Sequence, residues 1–97
     1  MATFAVLSQS PDPQLRAAVE REYPDRYFHW SLTVSFVRAS GTAANVSKAL
    51  GIKTRQTDGS ISGTLDDAAV ILLGPSYWGW SKAEGWEWLK SAFEAAD

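Results

Sequence analysis

A single histidine, His29, is the only imidazole in this 97-residue chain and so the first candidate for proton transfer. It lies beside Trp30 at a polar-facing position of a period-two pattern, where a lone strand histidine more often serves packing or the surface than catalysis. Cysteine is absent, which removes thiol nucleophiles, thiolate metal sites and disulfides. No Gly-rich phosphate loop of the Walker or dinucleotide type is present, and no nucleophile triad is recognisable. The carboxylates Asp66 and Asp67 are adjacent, and neighbours in an extended chain point to opposite faces, so the two read as a solvated loop end rather than a metal pair. Glu84 and Glu87, three apart on a helix, share a face, yet that spacing is common on solvated helices and Glu84 is accounted for by capping. The inventory names no catalytic, cofactor-binding or metal-binding residue. The expectation is a non-enzymatic chain without a cofactor.

The unusual feature is aromatic. Tyr77, Trp78, Trp80, Trp86 and Trp88 crowd the last part of the chain, more rings than a core of this size readily hides. Trp86 shares a helical face with Leu89 and Phe93, whereas Trp88, two positions on, needs a partner of its own. Three roles stay open for Tyr77, Trp78, Trp80 and Trp88: a subunit or partner interface, an intramolecular core, or a ligand platform. Aromatic rings on a sheet also stack nucleic-acid bases, and Arg38, Lys53 and Arg55 are the cations that would meet phosphates. Against this, nine Lys and Arg face eleven Asp and Glu, a net charge of −2. A local patch would have to overcome that balance.

These residues need a scaffold. Thr3 to Leu7 reads as a buried first strand. Asp12 caps a helix with Pro13 in its first turn, Leu15, Ala18, Val19 and Tyr23 line its inner face, and Pro24 ends it. Arg16, Glu20 and Arg21 mark the outer face. From Phe28 to Phe36 the even positions are apolar and the odd ones His29, Ser31, Thr33 and Ser35, the mark of half-buried β structure. No Gly, Pro, Asn or Asp decides between one long strand and two. Thr42 opens a second helix with Val46, Ala49 and Leu50 inward and Gly51 at its end. Lys53 to Asp67 reads mainly as a loop, and Ala68 to Leu73, closed by Gly74-Pro75, as a central strand covered on both faces. Ser81 with Glu84 predicts a capping box for a third helix.

Length and composition allow one domain, residues 1–97, with 45% hydrophobic and 21% charged residues. No signal-peptide pattern or membrane-length apolar stretch is present, so the expected location is cytoplasmic, with no membrane partner.

The order strand, helix, strand, strand, helix, strand is the ferredoxin-like βαββαβ plan: an antiparallel sheet with two helices on one face, here with an added C-terminal helix. Several segments then resemble a loose group of small bacterial proteins, SinR-like and related in fold to the CRISPR-associated adaptation endonuclease family. They are Ala5-Val6-Leu7, Thr33-Val34-Ser35-Phe36-Val37 before Gly41-Thr42, Val46 to Ile52, and Tyr77-Trp78-Gly79 before Trp86-Glu87-Trp88. The resemblance implies a hairpin within Tyr27 to Ala39, hence two strands, and homodimers joined through sheet edges. The nuclease branch carries an acidic residue at the end of its first strand, where this chain has Ser8-Gln9-Ser10. Metal-dependent cleavage lacks its carboxylate there. The expectation is therefore a homodimeric or partner-binding interaction module using the aromatic C-terminal region, with a nucleic-acid-binding protein or nuclease as the alternative. Replacing Trp78 and Trp80 together by Ala is expected to weaken self-association in sedimentation velocity while far-UV circular dichroism is kept. Outright unfolding would place both rings in the core.

Overall fold

The apolar run near the start of the chain forms strand β1, Ala2–Ser8, followed by helix α1, Pro13–Glu22. The structure is a computed structural model that describes residues 1–74, 79 and 83–94. Asp12 caps α1 as its position predicts: Oδ1 accepts from the Gln14 N–H at 3.0 Å and the Leu15 N–H at 3.1 Å. Pro13 occupies the first turn, where a backbone N–H would have no partner in the helix. Tyr27–His29 and Val34–Ala39 are two antiparallel strands, β2 and β3, with Phe28 opposite Phe36. Their turn is made by a serine. The Thr33 N–H donates to Ser31 Oγ at 3.2 Å, and the Trp30 and Ser31 N–H groups both donate to the Val34 carbonyl. Leu32 stands at the tip, 64% exposed, so its place in the apolar alternation does not bring it into the core.

Helix α2, Ala43–Leu50, has a reciprocal cap: the Asn45 N–H donates to Thr42 Oγ1 at 3.2 Å, and the Thr42 N–H to Asn45 Oδ1 at 2.9 Å. It ends at Gly51, whose φ of 82° is left-handed. The Gly51 N–H reaches the Lys48 carbonyl and the Ile52 N–H the Ser47 carbonyl, both at 3.1 Å. The Lys53 to Asp67 segment is more ordered than its composition suggests. Thr54–Arg55 and Ile61–Ser62 pair as a small antiparallel hairpin, β4 and β5, and Ile52 bridges Leu65. Strands this short carry too little apolar alternation to announce themselves. Strand β6, Ala68–Leu73, and helix α3, Ala83–Glu94, complete the fold. Ser81, the expected cap of α3, and Pro75 lie outside the described residues.

The main sheet is antiparallel, in the order β2-β3-β1-β6. With the three helices of the described residues it makes a small α+β fold. Alternation sends Phe4, Val6, Val37 and Ala39 to one face, where they meet Leu15, Ala18 and Val19 of α1 and Val46 and Leu50 of α2 in one buried cluster. The other face presents Phe28, Trp30 and Phe36 to α3. Both faces of β3 are thus covered, not one. The expectation for β6 is overturned as well: among the described residues it stands at the edge of the sheet, and β3 and β1 are the inner strands. A continuous apolar run signals burial on both faces without saying what buries it. Among the described residues no helix is long and apolar enough to cross a membrane.

The hairpin turn holds a perturbed carboxylate. Asp58 Oδ1 accepts from the Ser60 hydroxyl at 2.6 Å and the Ser60 N–H at 2.9 Å, and these bonds hold its pKa below the ordinary aspartate value. A depressed carboxyl contributes stability above its unfolded pKa that is lost as pH falls through the folded one. Ser60→Ala is expected to move the Asp58 titration up toward the ordinary value, read by carboxyl NMR chemical shift. An unmoved titration would mean that the hydroxyl does not hold it.

Candidate functional site

His29 lies near the middle of a polar tie between helix and sheet. Its Nε2 donates to Glu20 Oε2 at 2.9 Å, because a carboxylate can only accept, and its Nδ1 is hydrogen-bonded to the Ser35 hydroxyl at 2.7 Å. The ring also leans on Tyr27 at 4.8 Å. Serine, imidazole and carboxylate in that order have the connectivity of an acyl-transfer relay. The nucleophile's position argues against that use: Ser35 is 5% exposed, facing the main core from β3 beside Val37. No carbonyl can approach it from solvent. The arrangement satisfies a buried hydroxyl and fastens α1 to β2 and β3. Arg16 adds a second fastening, Nη1 to the Ser31 carbonyl at 2.9 Å. The sequence marks Arg16 and Glu20 only as an outer helix face. Their partners are distant in sequence, so no local pattern could have found them.

The aromatic residues form a second interior on the opposite face. Trp88 lies nearly parallel to Phe36, 6.1 Å away at 23°, and close to Phe28 at 6.3 Å. Trp86 meets Trp30 edge to face at 5.6 Å and 76°, and Trp30 meets Phe36 at 5.5 Å. Of the three roles open for Trp88, this geometry fills the intramolecular one. Tyr77, Trp78 and Trp80 lie outside the described residues. The close approach of α3 depends on Gly85: a Cβ there would stand 2.7 Å from Cζ3 of Trp30. That ring is itself held between Phe36 and Trp86.

The charged candidates do not converge. Arg38 sits on β3 opposite Thr3, with its amide bonded to the Arg26 carbonyl and its Nε buried without an acceptor. Lys53 pairs with Asp66 at 2.8 Å, and Arg55 reaches the Gly59 carbonyl at 3.4 Å. Asp66 and Asp67 lead into Ala68, which pairs with Ser8, whereas Arg38 lies five residues back along β1, about 17 Å away at strand rise. The three cations therefore do not make one phosphate-binding surface. Asp66, Asp67 and Asp12 border a groove of about 230 Å³ at the end of β1. Asp12 is engaged as a cap there and Asp66 as an ion pair. Among the described residues no three His, Cys, Asp or Glu side chains are placed to hold a metal ion. Glu84 and Glu87 are exposed on α3.

What the described surface does offer is an edge. β6 pairs with β1 on its inner side, and among the described residues it has no neighbour on the outer one. Ile71 is 49% exposed and Leu72 61% exposed, on opposite faces of the same strand, and Ala69 is exposed beside them. The strand AAVILL carries no charge and no proline, the usual protections of an edge. The other edge, β2, is only three residues long.

No protein-family model, curated protein or solved structure matches the chain. Gly85→Ala is expected to lower unfolding stability by about 1 kcal/mol, the overpacking cost less the gain in helix propensity. Urea denaturation checks this, with near-UV circular dichroism reporting the loosened Trp30–Trp86 contact. Unchanged or raised stability would mean that α3 does not rest on Trp30 as described.

Proposed function

We propose that the chain is a non-catalytic interaction module on a ferredoxin-like plan that joins a protein partner at the outer edge of β6. The observation that carries this reading is that β6 has no outer neighbour among the described residues: six uncharged residues at a sheet edge, with large apolar side chains exposed on both faces. A surface laid on one face would cover Ile71 or Leu72 but not both, whereas a strand added in the plane of the sheet covers both and satisfies the outward backbone groups. The apolar edge and the net charge of −2 favour protein over nucleic acid as the partner.

The ferredoxin-like plan is supported by the interleaving of the strands, with β3 between β1 and β2, and β1 between β3 and β6. Kinship with the SinR-like proteins belongs to the same proposal, as does a reducing, cytoplasmic setting for a chain without cysteine. Of the aromatic candidates the Trp88 ring is occupied within the chain, and Tyr77, Trp78 and Trp80 lie outside the described residues, so this reading rests on β6.

Native mass spectrometry of gently purified protein tests the reading against the double variant Ile71→Lys, Leu72→Lys. Both positions are exposed, so the variant is expected to keep its circular dichroism and its stability to within about 0.5 kcal/mol. Wild type is expected to carry a second chain and the variant to fly as a bare monomer. A bare monomer in both, or a complex that survives the two lysines, would overturn the reading.

A further inference from the structure

We propose that Arg26 and Arg38 together form a binding site for one phosphoryl group, the doubly charged phosphate ester of a small molecule. The inference stands apart from the reading of β6. The Arg38 N–H donates to the Arg26 carbonyl at 2.8 Å, which carries the β2–β3 ladder one residue beyond the Tyr27–Val37 pair. Arg26 thus stands opposite Arg38 at the entry to β2, and residues opposite one another in a sheet share a face. By alternation that face is the one of Phe28 and Phe36. Backbones about 5.5 Å apart at such a bonded pair let two long side chains reach the same small anion.

Like charges directly opposite one another cost stability. Among the described residues neither guanidinium takes part in an ion pair, whereas Arg21 has Glu22 and Lys53 has Asp66. On its other side Arg38 faces Thr3, which is uncharged, and Phe36 is its neighbour on the same face of β3. The sheet therefore brings Arg38 only a cation and neutral groups. Yet Arg38 is half-buried, and its Nε is buried without an acceptor. A buried N–H of this kind is normally bonded, and one left alone bears the full loss of its water. With no acceptor to fix Nε where it lies, a turn of the outer torsions brings the guanidinium edge toward Arg26, which is exposed. An anion arriving there supplies the missing acceptor and separates the two like charges.

The chemistry of the pair selects the ligand. One guanidinium fork already fills both oxygens of a carboxylate, which leaves the second arginine over and one positive charge unanswered. A phosphate ester has three terminal oxygens and a charge near −2 at neutral pH, so it engages both forks and neutralises both charges. The extent of the site limits what carries the group. Across the sheet the row runs from Arg26 and Arg38 to Thr3 and then Leu73, with no further cation. Lys53 is paired with Asp66, Arg55 reaches the Gly59 carbonyl, and the whole chain has a charge of −2. A polyanion requires a track of positive charge along its backbone, whereas a single phosphoryl group requires only these two.

Proton–nitrogen correlation NMR of the full chain resolves arginine Nε–H groups, and Arg38→Lys identifies the Arg38 signal by its loss. Glycerol phosphate is expected to move that signal saturably, with a dissociation constant on the order of millimolar for a ligand of so few atoms. Arg26→Gln, at an exposed position, is expected to keep the fold and weaken binding roughly tenfold, and acetate is expected to bind wild type roughly tenfold more weakly than the ester does. An unmoved Arg38 signal, or a movement that sodium chloride of equal ionic strength reproduces, would overturn the site. Unchanged binding in Arg26→Gln would overturn the pair, and equal binding of acetate the phosphoryl class. An oligonucleotide held far more tightly than glycerol phosphate, with an affinity that falls steeply with salt, would overturn the small ligand in favour of nucleic acid.

Discussion

The pairing of β1 with β3 is the contact on which the other elements depend. It sets Phe4 against Val37 and Ala2 against Ala39 on one face, where α1 and α2 close over them, and Ala5 against Phe36 on the other. A strand pair buried on both sides cannot leave either face to water, and the three helices among the described residues are too few to cover a four-stranded sheet twice. The helices therefore cover the β1–β3 region best. Among the described residues the far edge, β6, has no outer neighbour, with Ile71 and Leu72 exposed on its two faces.

The two interiors differ in kind. Beneath α1 and α2 the cluster is aliphatic apart from Phe4, with Tyr23 and Tyr27 at its border. Tyr23 shows the effect of that border: burial first, and the neighbouring Glu22 second, raise its phenol above the ordinary value. Beneath α3 the contacts described are aromatic, ring on ring from Trp30 to Trp88, and the helix comes close only because position 85 has no side chain. On the first side Glu20 and Arg16 also tie α1 to β2 and its turn by directed bonds.

Features governed by neighbours in the chain are legible in the sequence itself. The Asp12 and Thr42 caps, Pro13 in the first turn, and Gly51 at the end of α2 are all set within a few residues. The run Phe28 to Phe36 showed β structure, but not its turn, because Ser31 does with a hydroxyl what glycine or asparagine does with backbone freedom. The β4–β5 hairpin was hidden by its polarity, and the His29 tie by the distance between Glu20, His29 and Ser35. β6 is the instructive case: its composition announces burial, and only the strand order shows that this chain's described residues leave one side of it uncovered. The candidate site was thus visible as a hydrophobic segment and invisible as a surface.

The central place of β1 has a consequence for how the chain acquires its shape. β1 precedes both its neighbours, and its ladder to β6 reaches from Thr3 to Leu73. During synthesis its apolar residues leave the ribosome long before a second flank exists. They must wait, solvated or held by chaperones, while β3 closes one side and the chain extends to β6. The native sheet is therefore a late product of translation, and the last described strand to join it is the one with no outer neighbour among the described residues.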